Sequence, residues 1–384
     1  CLEVAVMAAH RRRRVAVVLS VVTIASVTTF LLARLAGYPS PPLPPSPPSP
    51  GRTAAPGEGG RGVRALSPTF RIAFDDGDGN VSVMNADGSS RKLILKDASQ
   101  PCWSPDRKRL AFARKGNLWI ANADGTGQRR LTRWAEDPDN DLHGISWDPA
   151  RGRIAFGRAE SVNVVGIAGE KGGPVFATAL YEVDPAGTAA PVRLFGFRPE
   201  RPGRIRFTSN EYPAWSADGK TLAFARNGDL WLAHRGEGGE IEDADRLAAA
   251  ADYDEDSEGG SRWTVAVTAA SWAPDGSWLA YGRERVGGSG VAEVRVARLG
   301  DGTPGAPRTL EEDRLLPVYG WSPRVSPDGE WVLFCGYPLT GPNGTEVPSD
   351  PEHRGLWAIS RDGRTTVRLP AGDGPERQPL SAIW

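Results

Sequence analysis

Asp252, Asp254, Asp256 and Glu258 alternate as D-x-D-x-D-x-E, a spacing that could turn several hard carboxylate oxygens toward one Ca²⁺ ion. The run lacks the central glycine of a helix-loop-helix calcium loop, so a solvated acidic loop is its other reading. Asp137, Asp139 and Asp141, next to His143, form a similar series. Asp76, Asp78 and Asn80 look alike but fall between two strand patterns, where they read as a hairpin turn. Arg193 to Arg206 carries Arg193, Arg198, Arg201, Arg204 and Arg206 against Glu200, whereas Arg235 to Glu258 carries ten acids against Arg235 and Arg246. Patches of opposite sign could steer a partner of mixed charge or pair with one another as a solvated network. Covalent and acid–base signals are sparse. The four histidines, His10, His143, His234 and His353, show no metal-ligand spacing, no G-x-S-x-G elbow occurs, and the three cysteines offer no zinc set. The expectation is a chain without catalytic chemistry, and with no cofactor unless the acidic run holds Ca²⁺.

These residues sit on loops of a repeat. The clearest copy is "PCWSPDRKRLAFARKGNLWIANADGTGQRRLT" from Pro101; Trp147, Trp215, Trp272 and Val325 open further copies. Each opener is followed nine residues later by an aromatic, Phe112, Phe156, Phe224, Tyr281 or Phe334, and then by a small residue, Ala113, Gly157, Ala225, Gly282 or Cys335. A unit reads as four short strands: one ending at the opener, a Ser-Pro-Asp-Gly turn, a Leu-Ala-Phe strand, a third strand such as "DLWLA", an Asp-Gly turn and an outer strand. Such a unit must pack between like neighbours. Phe70 to Leu95 supplies strands two to four without an opener, and "QPLSAIW" supplies an opener strand ending at Trp384. Joined, the two ends complete a sixth unit and remove the open sheet edges. The expectation is an all-β, six-bladed β-propeller over residues 65–384, closed by N- and C-terminal strands.

The Trp-Ser-Pro-Asp-Gly, Leu-Ala-Phe, Leu-Trp-x-Ala and Asp-Gly series resembles the WD-type repeats of the TolB-like propeller family, across about residues 65 to 384. The resemblance implies the propeller and leaves the task open, because such propellers serve many functions. TolB itself also has an α/β domain before its blades; none fits between residue 64 and Phe70, so a Tol–Pal role is not implied.

Ahead of the repeats, residues 1–14 end in Arg11 to Arg14, and Val15 to Ala33 is a run of nineteen uncharged residues. As a helix that run covers about 28 Å, close to a hydrocarbon core. The arginine block before it and only Arg34 after it predict a single-pass anchor with the amino end in the cytoplasm and the propeller outside, in a periplasmic setting for a bacterium. A cleaved signal peptide is the rival reading. Residues 34–64 read as a stalk, with eight prolines between Pro39 and Pro50 favouring about 37 Å of polyproline II.

The net charge of −1 argues against nucleic-acid binding. In the repeat, the links between strands one and two and between three and four are short, while the insertions 133–143, 159–179, 196–210, 235–263 and 337–354 fall on the opposite face. Lopsided insertion on a rigid scaffold marks a binding face. The candidate residues there are Trp134, Asp137, Asp139, His143, Arg198, Arg201, Arg204, Arg206, Tyr253, Trp263, Tyr337 and His353, with Asp252, Asp254, Asp256 and Glu258 for Ca²⁺. The expected partner is a protein or cell-envelope component met by a monomeric propeller; a lactonase-like hydrolase with a channel metal, or a small-ligand sensor, is the alternative. Arg114, Arg158, Arg226 and Arg283 read as framework residues capping the second strand, or as a ring at one mouth. Cys102 and Cys335 are expected as buried free thiols, because their units are separated by the closing one.

Overall fold

The computed structural model describes residues 66–135, 142–163, 174–195, 209–236, 238–248, 264–286, 292–300, 310–339, 354–370 and 381–384. The expected tail, anchor and stalk lie outside them. Among the described residues no helix is long and apolar enough to cross a membrane, and all the regular structure is strand.

The strands form antiparallel sheets in sequence order. β1 (Arg71–Asp75), β2 (Asn80–Asn85) and β3 (Lys92–Lys96) share a sheet with the last strand, β23 (Ala382–Ile383), which lies beside β1 with Ala73 opposite Ile383. The first and last described strands therefore meet in one sheet, the juxtaposition their complementary patterns call for. The second sheet is β4 (Ser99–Trp103), β5 (Arg109–Arg114), β6 (Asn117–Asn122) and β7 (Arg129–Arg130); the third is β8 (Leu142–Trp147), β9 (Ile154–Asn163), β10 (Pro174–Val183) and β11 (Val192–Phe195). The fourth is β12 (Asn210–Trp215), β13 (Thr221–Arg226), β14 (Asp229–Arg235) and β15 (Ile241–Ala248). A seven-stranded sheet follows: β16 (Thr264–Trp272), β17 (Trp278–Val286), β18 (Ala292–Leu299), β19 (Leu310–Val325), β20 (Trp331–Pro338), β21 (Gly355–Ser360) and β22 (Thr366–Leu369). Here β19 does two jobs. Its first part pairs with β18, Leu310 opposite Leu299, and its second part with β20, Val325 opposite Val332.

The Ser-Pro-Asp turns work as their chemistry requires. In the turn after β4, Ser104 Oγ donates to Asp106 Oδ1 at 2.6 Å and accepts from the Arg109 amide at 2.9 Å, while Asp106 Oδ1 accepts from the Lys108 amide at 3.1 Å. Ser216 with Asp218 and Ser326 with Asp328 repeat the pattern. Asp76 Oδ1 accepts from the amides of Asp78 and Asn80, which makes that acidic run the hairpin turn expected of it.

The core lies between sheets. Phe74, Phe112, Phe156, Phe224 and Phe334 are fully buried, one on each sheet's second strand or its counterpart. Most apolar clusters are shared by two sheets, and one lies within the seven-stranded sheet. One joins Ala111, Leu118 and Ile120 to Trp147, Phe156 and Val183, and another joins Ile72 and Phe74 to Leu333 and Leu356. The small residue after the aromatic faces the first strand: a Cβ at Gly157 would stand 2.7 Å from the His143 carbonyl oxygen.

Three expected insertions are shorter than the sequence pattern implied. Ile241–Ala248, inside the acidic run, is the outer strand β15, because it pairs antiparallel with β14 from Ile241 opposite Arg235 to Ala248 opposite Leu230. The 159–179 insertion is largely a hairpin, since β9 and β10 stay in register out to Asn163 opposite Pro174. In 337–354, β20 runs on to Pro338. Conversely, β18 ends at Leu299 and β19 begins at Leu310, so that link between a third and a fourth strand is longer than the Asp-Gly turns elsewhere.

Candidate functional site

Of the residues expected on the long-loop face, Trp134, His143 and Tyr337 are described; Asp137, Asp139, Arg198, Arg201, Arg204, Arg206, Tyr253, Trp263 and His353 lie outside the described residues, as do Asp252, Asp254, Asp256 and Glu258. Trp134 packs on Phe156 and Tyr181 with ring centroids 5.8 and 5.6 Å away, and the Arg158 guanidinium stands 4.3 Å over it. His143 meets Tyr212 edge-on at 6.2 Å. Tyr337 is buried and stacks on Tyr319 at 5.0 Å. The three belong to separate packing groups, so they do not form one cluster. Arg114 stands 5.0 Å over both Phe112 and Trp119 and donates to the carbonyls of Asp97 and Lys96; Arg226 stands 4.7 Å over Trp231 and donates to Asn210 Oδ1. These arginines clamp the framework.

The structure instead brings residues together at the opposite, short-turn end. The first strands of successive units end around one cavity of about 280 Å³. Trp103, Trp147, Trp215, Trp272, Val325 and Trp384 line it from the strand ends, and Cys102, Ser146, Ala214, Ser271, Arg324 and Ile383 line it from the positions just before. Hydrogen bonds between neighbouring units hold these ends in place. The amides of Trp215 and Val325 donate to Ser146 Oγ and Ser271 Oγ at 2.9 Å, and the indoles of Trp272 and Trp384 donate to the carbonyls of Ala214 and Arg324 at 3.0 and 2.9 Å. The indole nitrogens of Trp103 and Trp215 are buried with no hydrogen-bond partner.

The charge at this cavity is cationic. Arg324 bonds through Nη1 to the Pro323 carbonyl at 2.9 Å and has no carboxylate partner among the described residues. Burial pulls its guanidinium below the ordinary arginine value. Arg107 enters from the turn after β4, where burial also lowers its guanidinium; its Nη1 reaches the Arg71 carbonyl at 3.5 Å, and it stands 5.9 Å over Trp103. Among the described residues no carboxylate or imidazole lines the cavity. Cys102 and Cys335 are buried and free, and burial raises both thiols, which keeps them protonated and poor as nucleophiles. Among the described residues no group of three His, Cys, Asp or Glu side chains is placed to hold a metal ion.

The repeat itself signalled this cavity through two departures from its pattern. Arg324 stands where the other units have small or aliphatic residues, and Arg107 replaces the glycine of the Ser-Pro-Asp-Gly turn.

No protein-family model and no curated protein matches the sequence. Among solved structures, a putative TolB from Agrobacterium tumefaciens superposes with a TM-score of 0.45 at 18% identity, covering 78% of this chain and 87% of that one. The β-propeller domain of Cps50 (Swd1) from Myceliophteria thermophila gives 0.44 at 14% identity over 81% and 89% of the two chains. A calcium-binding protein, regucalcin, from A. tumefaciens gives 0.43 at 14% over 70% and 79%. Likenesses of this strength carry nothing about function. The propeller-like character of the chain rests on its repeated antiparallel sheets and on the convergence of their first strands.

Proposed function

We propose that this chain is a six-bladed, TolB-like β-propeller that binds a protein or cell-envelope component and performs no chemistry of its own. The observation that carries this reading is the lining of the cavity: tryptophan, proline, serine and two arginines, with no carboxylate or imidazole among the described residues. A propeller hydrolase of the lactonase type would require inward acids or histidines to hold a channel metal and move a proton. The six-bladed reading is supported by apolar clusters that pass from each unit to the next and return from the last to the first.

Residues 15–33 serve as a single-pass anchor in the cytoplasmic membrane, 34–64 as a stalk, and the propeller acts as a monomer outside the membrane; the arginine block and apolar run support this placement. The long-loop face contributes to recognition, with the arginine-rich 196–208 and acidic 249–263 segments as its charged edges. Calcium binding by Asp252, Asp254, Asp256 and Glu258 is a separate proposal.

The test uses the detergent-solubilised full chain as bait against an envelope fraction, beside a variant with residues 249–263 replaced by a short Gly-Ser link. Specific capture that falls in the variant is the expected result. Unchanged capture removes the acidic segment from the reading, and calcium- or magnesium-dependent hydrolysis of a lactone panel by the wild-type chain overturns the binding reading in favour of the enzyme.

A further inference from the structure

We propose that the cavity where the first strands meet is a binding pocket for a carboxylate carried on a flat apolar body, with Arg324 as the fork that takes the carboxylate and Arg107 as a second cation. The inference deepens the binding reading above and rests on it.

Arg324 is the first ground. Arg324 is half-buried and lines the cavity, whereas the more deeply buried guanidinium of this molecule is paired with acids. Arg235, whose side chain is 8% exposed, lies 2.5 Å from Asp148 and 3.6 Å from Glu182. Among the described residues Arg324 has no acid beside it, in a slot that other units fill with Cys102, Ser146, Ala214, Ser271 and Ile383. Framework needs alone would not put a guanidinium there, because the uncharged residues of the other units serve that slot.

Arg107 is the second. It adopts φ 58° at the turn position where Gly219, Gly276 and Gly329 have φ values of 67°, 71° and 73°. A residue with a Cβ is strained in this region, and strain of this kind gathers at functional sites. Replacing the glycine puts a second guanidinium on the same cavity.

The remaining ground is the walls, to which Trp103 and Trp215 contribute. A carboxylate matches the planar fork of a guanidinium through two parallel bonds, while the indole and proline walls suit a planar apolar body. The volume of about 280 Å³ is near the lower end for small-molecule pockets. Such a carboxylate could belong to a free organic acid or to the end of a peptide.

The experiment titrates the detergent-solubilised full chain by calorimetry with benzoate, its neutral isostere benzamide, inorganic phosphate, and a short peptide ending in Phe as free acid and as amide. Expected are saturable benzoate binding at least tenfold tighter than benzamide, a loss of at least tenfold in Arg324→Gln, and a severalfold loss in Arg107→Gly. Arg107→Gly guards against misfolding as an explanation, because its backbone conformation suits glycine. Tighter binding of the free-acid peptide than of benzoate assigns the carboxylate to a polypeptide; the reverse assigns it to a small acid, and both support the pocket. Equal binding of benzoate and benzamide, phosphate binding tighter than benzoate, or benzoate binding unchanged in both variants overturns it. Partner capture that persists without carboxylate binding sinks this inference alone, whereas loss of capture with benzoate binding intact sinks the wider reading alone.

Discussion

Replacing Arg235 by leucine tests whether the third and fourth sheets are locked by one buried ion network. The Arg235 guanidinium lies 2.5 Å from Asp148 Oδ2 and 3.6 Å from Glu182 Oε1, with side-chain exposures of 8%, 0% and 7%. It also donates to the Gly219 carbonyl at 3.1 Å and stands 4.2 Å over Trp215. Leucine removes the cation and leaves the Asp148 carboxylate buried. Breaking one partner out of a buried pair costs about 3–5 kcal/mol. The lower end applies here, because Asp148 Oδ1 still accepts from the amides of Ala150 and Arg151, and Glu182 keeps Arg153 Nε at 2.7 Å. At roughly 2–4 °C per kcal/mol for a domain of this size or somewhat smaller, a loss of about 3 kcal/mol lowers Tm by roughly 6–12 °C. Thermal unfolding followed by circular dichroism provides the measurement, with Arg364→Leu as control. Arg364 is 85% exposed and 3.8 Å from Asp362, a geometry worth well under about 1 kcal/mol. Adding Asp148→Asn to Arg235→Leu should recover part of the loss, since it removes the orphaned charge. A shift for Arg235→Leu no larger than that of the control would refute the argument that burial sets the value of this network.

Three further outcomes follow from the geometry. Gly157→Ala places a Cβ 2.7 Å from the His143 carbonyl oxygen and should cost about 1–3 kcal/mol by overpacking, read as a lower urea midpoint. Burial pushes the Tyr319 phenol up to about 12; its contribution is therefore intact below the ordinary tyrosine value near 10 and lost as pH rises from there toward 12, so Tyr319→Phe should flatten the fall in stability across that window. Cys102 and Cys335 are buried and free with raised thiol values, so neither should react with an aromatic disulfide reagent until the chain is unfolded; rapid labelling of the native protein would contradict their placement.

Local spacing carried most of the architecture. Four strands per unit, the Ser-Pro-Asp turns and the meeting of β1 with β23 are legible because turn residues and alternating apolar positions act over a few residues. The framework role of Arg114 and Arg226 followed from the same register. Element ends were harder to read: Ile241–Ala248 looked like an acidic loop, and pairing with β14 overrode its composition. The seven-stranded sheet was not legible either, because nothing local marks where the outer strand of one unit continues as the first strand of the next in β19.

The sequence by itself determined the repeat, its turn chemistry and the complementarity of its ends, since each depends on contacts between near neighbours in the chain. Only the tertiary structure decided which departures from that repeat matter. Arg107 and Arg324 are 217 positions apart, and their common cavity exists only because sheets packed on one another bring the ends of their first strands together.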